Sequence, residues 1–229
     1  MRSFNAAEQF ADLFFPDLPT PVIRQLRAGC SKTVVPRGES VELGNDELGT
    51  IVFVVNGVAK LVGHVGADRE QIVVFAFAGE QVMLSAPSQD AYALWAITDC
   101  ELIAIPAGRL IRSAAGDGEL VKALFVRALS ALERSRATTV MLGRKSAKER
   151  LATFLSTMGD RIGRSVGGGV VLALPMSRRE IADSLGLTIE TVSRQFTELR
   201  ALGVIETRGR SDVTILASER LRRLAGFLR

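Results

Sequence analysis

Between Thr188 and Arg194 the chain reads TIETVSR, and four of these side chains carry the chemistry needed to read base edges. A guanidinium such as that of Arg194 pairs bidentately with guanine, and a carboxylate such as that of Glu190 accepts from the cytosine amino group. The aliphatic tip of Ile189 suits a thymine methyl, and the short hydroxyl of Ser193 suits a neighbouring base or sugar edge. Glu190 and Arg194 are four apart, so on a helix they lie side by side and can steady each other. Thr188 and Thr191 share that outer face and place hydroxyls where phosphates pass. Without a frame to hold it, the same pattern is only a solvated face with an ion pair worth a few tenths of a kcal/mol, or roughly 0.3.

The frame is written around it, in PMSRREIADSLGLTIETVSRQFTELRALGVI. Ser177 with Glu180 forms a capping box, which starts a helix whose apolar face is Ile181, Ala182 and Leu185. Gly186 ends that helix where a left-handed residue is wanted. Thr188 caps a second helix with Val192, Phe196 and Leu199 inside. Ala182 is small where two helices must cross closely, and Val192 fills the angle between them. This is a helix-turn-helix. VIETRGRSDVTIL follows as a hairpin wing with Arg208 and Arg210 at its tip. Those arginines, together with Ser177 and Arg178 at the first helix, are candidates for holding the DNA backbone. Upstream, Ser146 and Glu149 repeat the capping-box pattern before a helix with Leu151, Phe154, Leu155 and Met158 inward. Gly167-Gly168-Gly169 is expected as a hairpin loop rather than a phosphate loop, because a strand follows and no lysine does. The tail SERLRRLAGFLR reads as a short closing helix.

REIADSLGLTIETVSR resembles the DNA-binding signature of the CRP/FNR superfamily of bacterial transcription regulators. Glu190, Ser193 and Arg194 stand where its FNR and FixK branches carry a Glu-x-x-Ser-Arg base-reading triad. Ile189 and Ser193 separate the chain from the CRP branch, which has Arg and Gly there. The resemblance implies a homodimer on promoter DNA with an inverted repeat of the TTGAT-N4-ATCAA kind, working with RNA polymerase.

Charge agrees with a nucleic-acid module at one end. From Arg144 onward there are sixteen Lys and Arg against nine Asp and Glu, and before it thirteen against sixteen. A basic C-terminal third is the footprint of phosphate binding, and the acidic remainder argues against wrapping by the whole chain. No apolar run approaches the roughly 18 residues a membrane helix needs, and MRSFNAAEQF lacks the apolar centre of a signal peptide, so the expected location is the cytoplasm with no membrane partner. With one histidine, no paired carboxylate motif, no nucleophile elbow and no metal-ligand spacing, an enzyme is not expected.

Short helices are expected over 6–15 and 20–28. From Ser31 to about Ile105 come strand-length runs punctuated by glycine, which suggest a small antiparallel roll or barrel. Asn56-Gly57 gives a hairpin signal that requires positive φ. The order of elements is similar to the cyclic-nucleotide-binding β-roll of the same superfamily, so the resemblance covers nearly the whole chain. That family's phosphate cassette pairs Gly-Glu with a later Arg-Ser, and here Gly79-Glu80 is followed by APSQDAYALWAIT, which holds no arginine. Ser85 and Ser88 are weak substitutes, so a cyclic phosphate lacks its charge-assisted partner and Gly79-Glu80 is expected as a structural turn. Two cysteines, Cys30 and Cys100, cannot ligate the four-cysteine iron–sulfur cluster of the FNR branch within one chain. No cofactor is expected. Haem ligation through His64, Cys30, Cys100 or a methionine, and oxidation at Cys30, stay open as sensing chemistries. Cys100 reads as a small buried residue.

GELVKALFVRALSALERSRATTVML, from 118 to 142, is a long helix free of glycine and proline after Glu119. Val121, Leu124, Ala128, Ala131, Ser135, Thr138 and Leu142 recur at alternating three and four spacing, an a/d-like dimer seam. Leu120, Phe125, Leu129 and Leu132 form a second flank expected to cover the roll. The expected fold is therefore α+β: a β-roll over 1–116, a dimerisation helix over 117–143 and a winged helix-turn-helix over 144–229.

Overall fold

A computed structural model describes residues 10, 13–27, 30–41, 47–64, 70–85 and 92–226. The chain divides into two compact units, residues 1–132 and 133–229, so the division falls inside the long helix. Most of the helix expected over 6–15, Ser88 of the weak phosphate cap, and the last three residues of the tail lie outside the described residues.

In the first unit α1 (Thr20–Arg27) precedes seven strands: β1 (Ser31–Val35), β2 (Thr50–Asn56), β3 (Val58–His64), β4 (Glu70–Phe77), β5 (Gln81–Leu84), β6 (Tyr92–Ala96) and β7 (Cys100–Pro106). They form two antiparallel sheets, ordered β1-β7-β2-β5 and β4-β3-β6. The run IVFVV in β2 is apolar at every position because both faces of its sheet are covered. Val52 and Val54 face a core shared with Ala59, Ala76 and Leu94 of the second sheet. Phe53 and Val55 face a second core containing Phe10, Phe14, Phe15, Leu110 and Leu120. There the four phenylalanine rings lie 4.8 to 5.9 Å apart, most of them edge to face, the arrangement their quadrupoles favour. β7 repeats the division, with Leu102 on one side and Ile103 and Ile105 on the other.

Asn56-Gly57 does have positive φ, at +88° for Gly57, but it is not a hairpin. β2 and β3 pair with different strands in different sheets, so Gly57 is the corner where the chain crosses between them. A Cβ there would stand 2.2 Å from the Asp99 carbonyl oxygen.

After β7 come α2 (Ala107–Ala114) and α3 (Gly118–Arg144). The Asp117 carboxylate accepts the Leu120 N–H at 2.8 Å and starts α3 as an N-cap. Its first turns correct the expected phase. Leu120 is fully buried, and Ala123 and Leu124 pack against the same core. Arg127 stacks near Phe14 and Phe15 and donates to the Phe14 carbonyl at 2.6 Å. The stripe 120-123-124-127 thus faces inward, so Leu124 leaves the expected seam. Phe125, Leu129 and Leu132, expected to cover the roll, are instead turned outward, Phe125 to 61% exposure, beside an exposed Val121.

The second unit continues with α4 (Ala147–Ile162), β8 (Arg164–Val166), β9 (Gly169–Ala173), α5 (Arg178–Leu185), α6 (Ile189–Ala201), β10 (Ile205–Arg208), β11 (Asp212–Ile215) and α7 (Ser218–Leu224). Its sheet is antiparallel in the order β10-β11-β9-β8. Gly167 and Gly168, at φ +56° and +84°, make the two-residue β8–β9 hairpin loop read from the sequence. The capping box at Ser146 and Glu149 is present, and α4 packs against α6, α7 and β9.

Gly57→Ala is expected to lower stability by about 1–3 kcal/mol more than Gly38→Ala, because the added methyl must displace a backbone carbonyl. Gly38 has a similar φ of +84° but nothing within 4 Å of a built Cβ. Urea unfolding of the two variants measures the difference, and equal losses would contradict the crossing corner.

Candidate nucleic-acid interface

The helix pair is held by local hydrogen bonds at each end. Ser177 Oγ accepts the Glu180 N–H at 3.2 Å, while the Glu180 carboxylate accepts the Ser177 N–H at 2.8 Å. α5 closes on Gly186 in the left-handed conformation, at φ +60°, which costs a residue without Cβ little. Two residues later Thr188 Oγ1 accepts the Thr191 N–H at 3.2 Å and opens α6. Ile181, Ala182 and Leu185 of α5 and Val192, Phe196 and Leu199 of α6 are all buried. The fully buried Val192 and the small Ala182 occupy the crossing, as the sequence spacing requires.

That packing leaves Glu190, Ser193 and Arg194 exposed on one face of α6, with Ile189 half-buried at its start. Glu190 and Arg194 do not steady each other by an ion pair among the described residues. The Glu190 carboxylate accepts instead from its own backbone N–H and from the Thr188 hydroxyl, and Arg179 lies near it. These hold its pKa below the usual carboxylate range, leaving an ionised acceptor at the helix start. Arg194 has no hydrogen-bond or ion-pair partner among the described residues, so its five donors face outward uncommitted. Thr197 and Arg200 continue the exposed stripe and are joined to each other by a 3.0 Å hydrogen bond. The sequence reading passed over both, as it did Arg179; continuing the three-and-four spacing past Arg194 reaches Thr197 and then Arg200.

The expected backbone contacts divide into two groups. Arg208 and Arg210 are exposed at the wing tip, on either side of Gly209 at φ +66°. Ser177, Thr188 and Thr191 spend their hydroxyls on the helix starts; Thr188 Oγ1 and Thr191 Oγ1 are 3.1 Å apart. Arg178 does not project. Its guanidinium carbon lies 3.2 Å from the centroid of the Phe196 ring, and one terminal nitrogen is buried without a hydrogen-bond partner among the described residues. Burial pushes its pKa down to about 10, and the neighbouring Arg200 acts in the same direction.

α6 is also braced from outside the helix pair. Glu198 forms an ion pair with Lys148 of α4, and Arg220 of α7 donates to the Leu202 carbonyl at 2.8 Å. That outward face therefore sits on a helix fixed by caps, core and two side-chain ties.

In the first unit the Gly79-Glu80 turn is tied to β2 and to its own strand. Gly79 has φ +87°, its N–H donates to Val54, and the Glu80 carboxylate accepts the Phe77 N–H at 3.0 Å. His64, exposed at the end of β3, lies 3.8 Å from Glu70 across the ladder. Cys100 is buried, with Sγ directed at the Thr98 and Val58 carbonyls, and burial raises its pKa. Cys30 is half-buried and directs its thiol at the Leu26 carbonyl. Among the described residues no group of three His, Cys, Asp or Glu side chains is placed to hold a metal ion. An open groove beside β1 is lined by Thr33, Glu39, Ser40 and Trp95 among others, with no basic side chain among the described residues of its wall. No helix among the described residues is long and apolar enough to cross a membrane.

Comparison with known proteins agrees with this geometry. Residues 149–224 match the Crp-like helix-turn-helix domain. The nitrogen fixation regulation protein FixK of Azorhizobium caulinodans is 34% identical over 79% of this chain and 74% of its own. The transcriptional activator protein FnrL of Cereibacter sphaeroides is 31% identical over 82% of this chain and 78% of its own. Among solved structures, FixK2 from Bradyrhizobium japonicum superposes with TM-score 0.74 at 31% identity, covering 85% of this chain and 96% of that one. A CooA mutant from Carboxydothermus hydrogenoformans shares the fold, with TM-score 0.75 at 18% identity over 98% of this chain and 97% of that one.

Because the stacked Arg178 guanidinium is incompletely solvated, Arg178→Met is expected to hold stability within about 1 kcal/mol. Removing its platform by Phe196→Ala is expected to cost about 3–5 kcal/mol. Thermal and urea unfolding report both; a loss from Arg178→Met as large as that from Phe196→Ala would contradict the arrangement.

Proposed function

This chain belongs to the CRP/FNR superfamily of transcription regulators, on its FixK-like branch, and on that premise we propose that it acts as a homodimer on an inverted-repeat promoter site of the TTGAT-N4-ATCAA kind. The observation that carries the proposal is the uncommitted Arg194 one turn from Glu190, both exposed on the outer face of a braced α6. Each copy places that face in one major groove, with half-site centres about one turn, roughly 34 Å, apart. Arg194 and Glu190 read one G·C pair from its two sides, guanine through the guanidinium and cytosine through the carboxylate. Ser193 and Ile189 meet the adjoining thymines. Arg208 and Arg210 hold phosphates and fix the register without reading sequence.

Dimerisation uses the outward stripe of α3. With Leu124 turned inward, Val121, Phe125, Ala128, Leu132, Ser135 and Thr139 keep the alternating four and three spacing of a two-helix seam. Ala128 and Ser135 let the helices approach, and Phe125 and Leu132 supply the apolar area that a helix exposed in a monomer lacks a reason to carry.

The dimer acts in the cytoplasm with RNA polymerase as its partner at the promoter, and cyclic AMP is not its effector. Support for the last point is chemical: the Glu80 carboxylate is engaged with the backbone of its own turn, and residues 81–98 hold no arginine to pair a cyclic phosphate. No haem is proposed for the working form: the sequence has one histidine, His64, and it lies 3.8 Å from the Glu70 carboxylate.

Arg194→Ala is expected to cost about 1–3 kcal/mol on the matched repeat and to relax selection at the G·C position, whereas Arg210→Ala weakens matched and mismatched DNA alike and lowers the salt slope by about one. Fluorescence anisotropy on the two duplexes across a salt series separates these, and equal losses on both duplexes for both variants would overturn the assignment. Phe125→Glu is expected to give a monomer in light scattering and to lose the preference for the two-half-site duplex; a persistent dimer would refute the seam.

A further inference from the structure

α4 carries an arginine that has no part in the outward face of α6. Arg150, on its first turn, directs its whole guanidinium at backbone carbonyls. Nε donates to Lys145 at 3.0 Å, Nη2 to Leu142 at 2.7 Å and Nη1 to Leu185 at 2.8 Å. Leu142 lies in the last turn of α3, Lys145 directly follows it, and Leu185 is the last residue of α5. All belong to the second unit.

Such carbonyls at helix C-termini have no partner within their own helix, and they form the negative end of the helix dipole. Two C-termini brought together would leave those oxygens facing one another. A planar cation whose donors point in three fixed directions answers all of them at once and fixes the directions in which they lie. The segment between α3 and α4 is held from its other side as well. Lys145 Nζ donates to the Ala225 carbonyl at 2.7 Å and to Thr153 Oγ1 at 2.8 Å. Leu185 stands three residues before Thr188, the cap of α6, with the left-handed Gly186 between them. The arginine therefore ties the end of the long helix to the point from which the reading helix departs.

We propose that Arg150 is a positioning residue for DNA recognition, fixing the direction of the α5–α6 pair against the end of α3 so that two copies present their reading faces at one half-site separation. This rests on the dimeric DNA-binding function proposed above. A dimer whose reading helices are set at a fixed separation discriminates between repeats by spacer length. With the tie loosened, each helix still recognises its own half-site, but the correct spacer loses its advantage.

The test uses the full chain and three duplexes: the inverted repeat, the same repeat with its spacer lengthened by one base pair, and a single half-site in scrambled flanks. Arg150→Lys retains charge but replaces the rigid fork by a point donor, and Arg150→Gln removes the charge. Anisotropy titrations of either variant are expected to show about tenfold weaker binding to the correct repeat, the scale of losing a charge-assisted hydrogen bond. Binding to the lengthened repeat and to the half-site is expected to be unchanged, with Arg150→Lys no better than partial in rescue. Losses in one common ratio on all three duplexes, or a spacer preference equal to the unsubstituted protein's, would overturn the proposal. So would unfolded circular dichroism spectra for both variants, which would make Arg150 a folding residue. If the unsubstituted protein itself does not favour the repeat over scrambled DNA, the underlying function fails, and that result is read before any variant is compared.

Discussion

The second unit depends on one short constraint: α5 must end and α6 must begin within three residues, at a fixed angle. Gly186 makes the turn possible by taking φ +60°, where a Cβ would cost energy. The two caps then define where each helix starts, Glu180 on Ser177 before the turn and Thr188 on Thr191 after it. With the ends fixed, the phase of each helix follows, and phase decides which side chains are buried. Val192, Phe196 and Leu199 go inward, so Glu190, Ser193 and Arg194 can only go outward. Which side chains reach the outer face is thus set by the caps and the buried side of each helix.

Those parts were legible in the sequence because their determinants are local. A capping box needs residues three apart, a left-handed terminus needs a glycine, and both can be read without knowing the partner of either helix. The long helix was less legible for the opposite reason. It is apolar on two sides, and 120-124-127 and 121-125-128-132 are both acceptable stripes until something packs against one. The phenylalanine cluster around Phe53 makes that choice, and it comes from residues more than sixty positions away. Asn56-Gly57 divides in the same way. The need for positive φ is local; the strand that each flank pairs with is not, so in sequence a corner looks like a hairpin.

Arginine was the least legible residue type. Arg178 and Arg210 look alike in sequence, yet the first lies on the Phe196 ring and the second stands free at the wing. An arginine stem packs on apolar surface as readily as its head reaches phosphate, so exposure cannot be inferred from charge. Arg150 gives no local signal, since its partners are carbonyls up to thirty-five residues away. The same physics that hides these roles makes them specific: a guanidinium with fixed partners is a structural element, and one without them is available to DNA.

The proposal that matters most is that the chain, as a homodimer, reads an inverted repeat through α6. The most direct measurement is an anisotropy titration of the purified, ligand-free chain at fixed salt, against a TTGAT-N4-ATCAA duplex and a scrambled duplex of equal length and composition. Saturable binding to the repeat is expected, with one dimer per duplex and a preference of about a thousandfold or more over the scrambled control, the lower end of the roughly 10³–10⁷ that separates specific from non-specific binding. Equal, salt-sensitive affinity for both duplexes would contradict it.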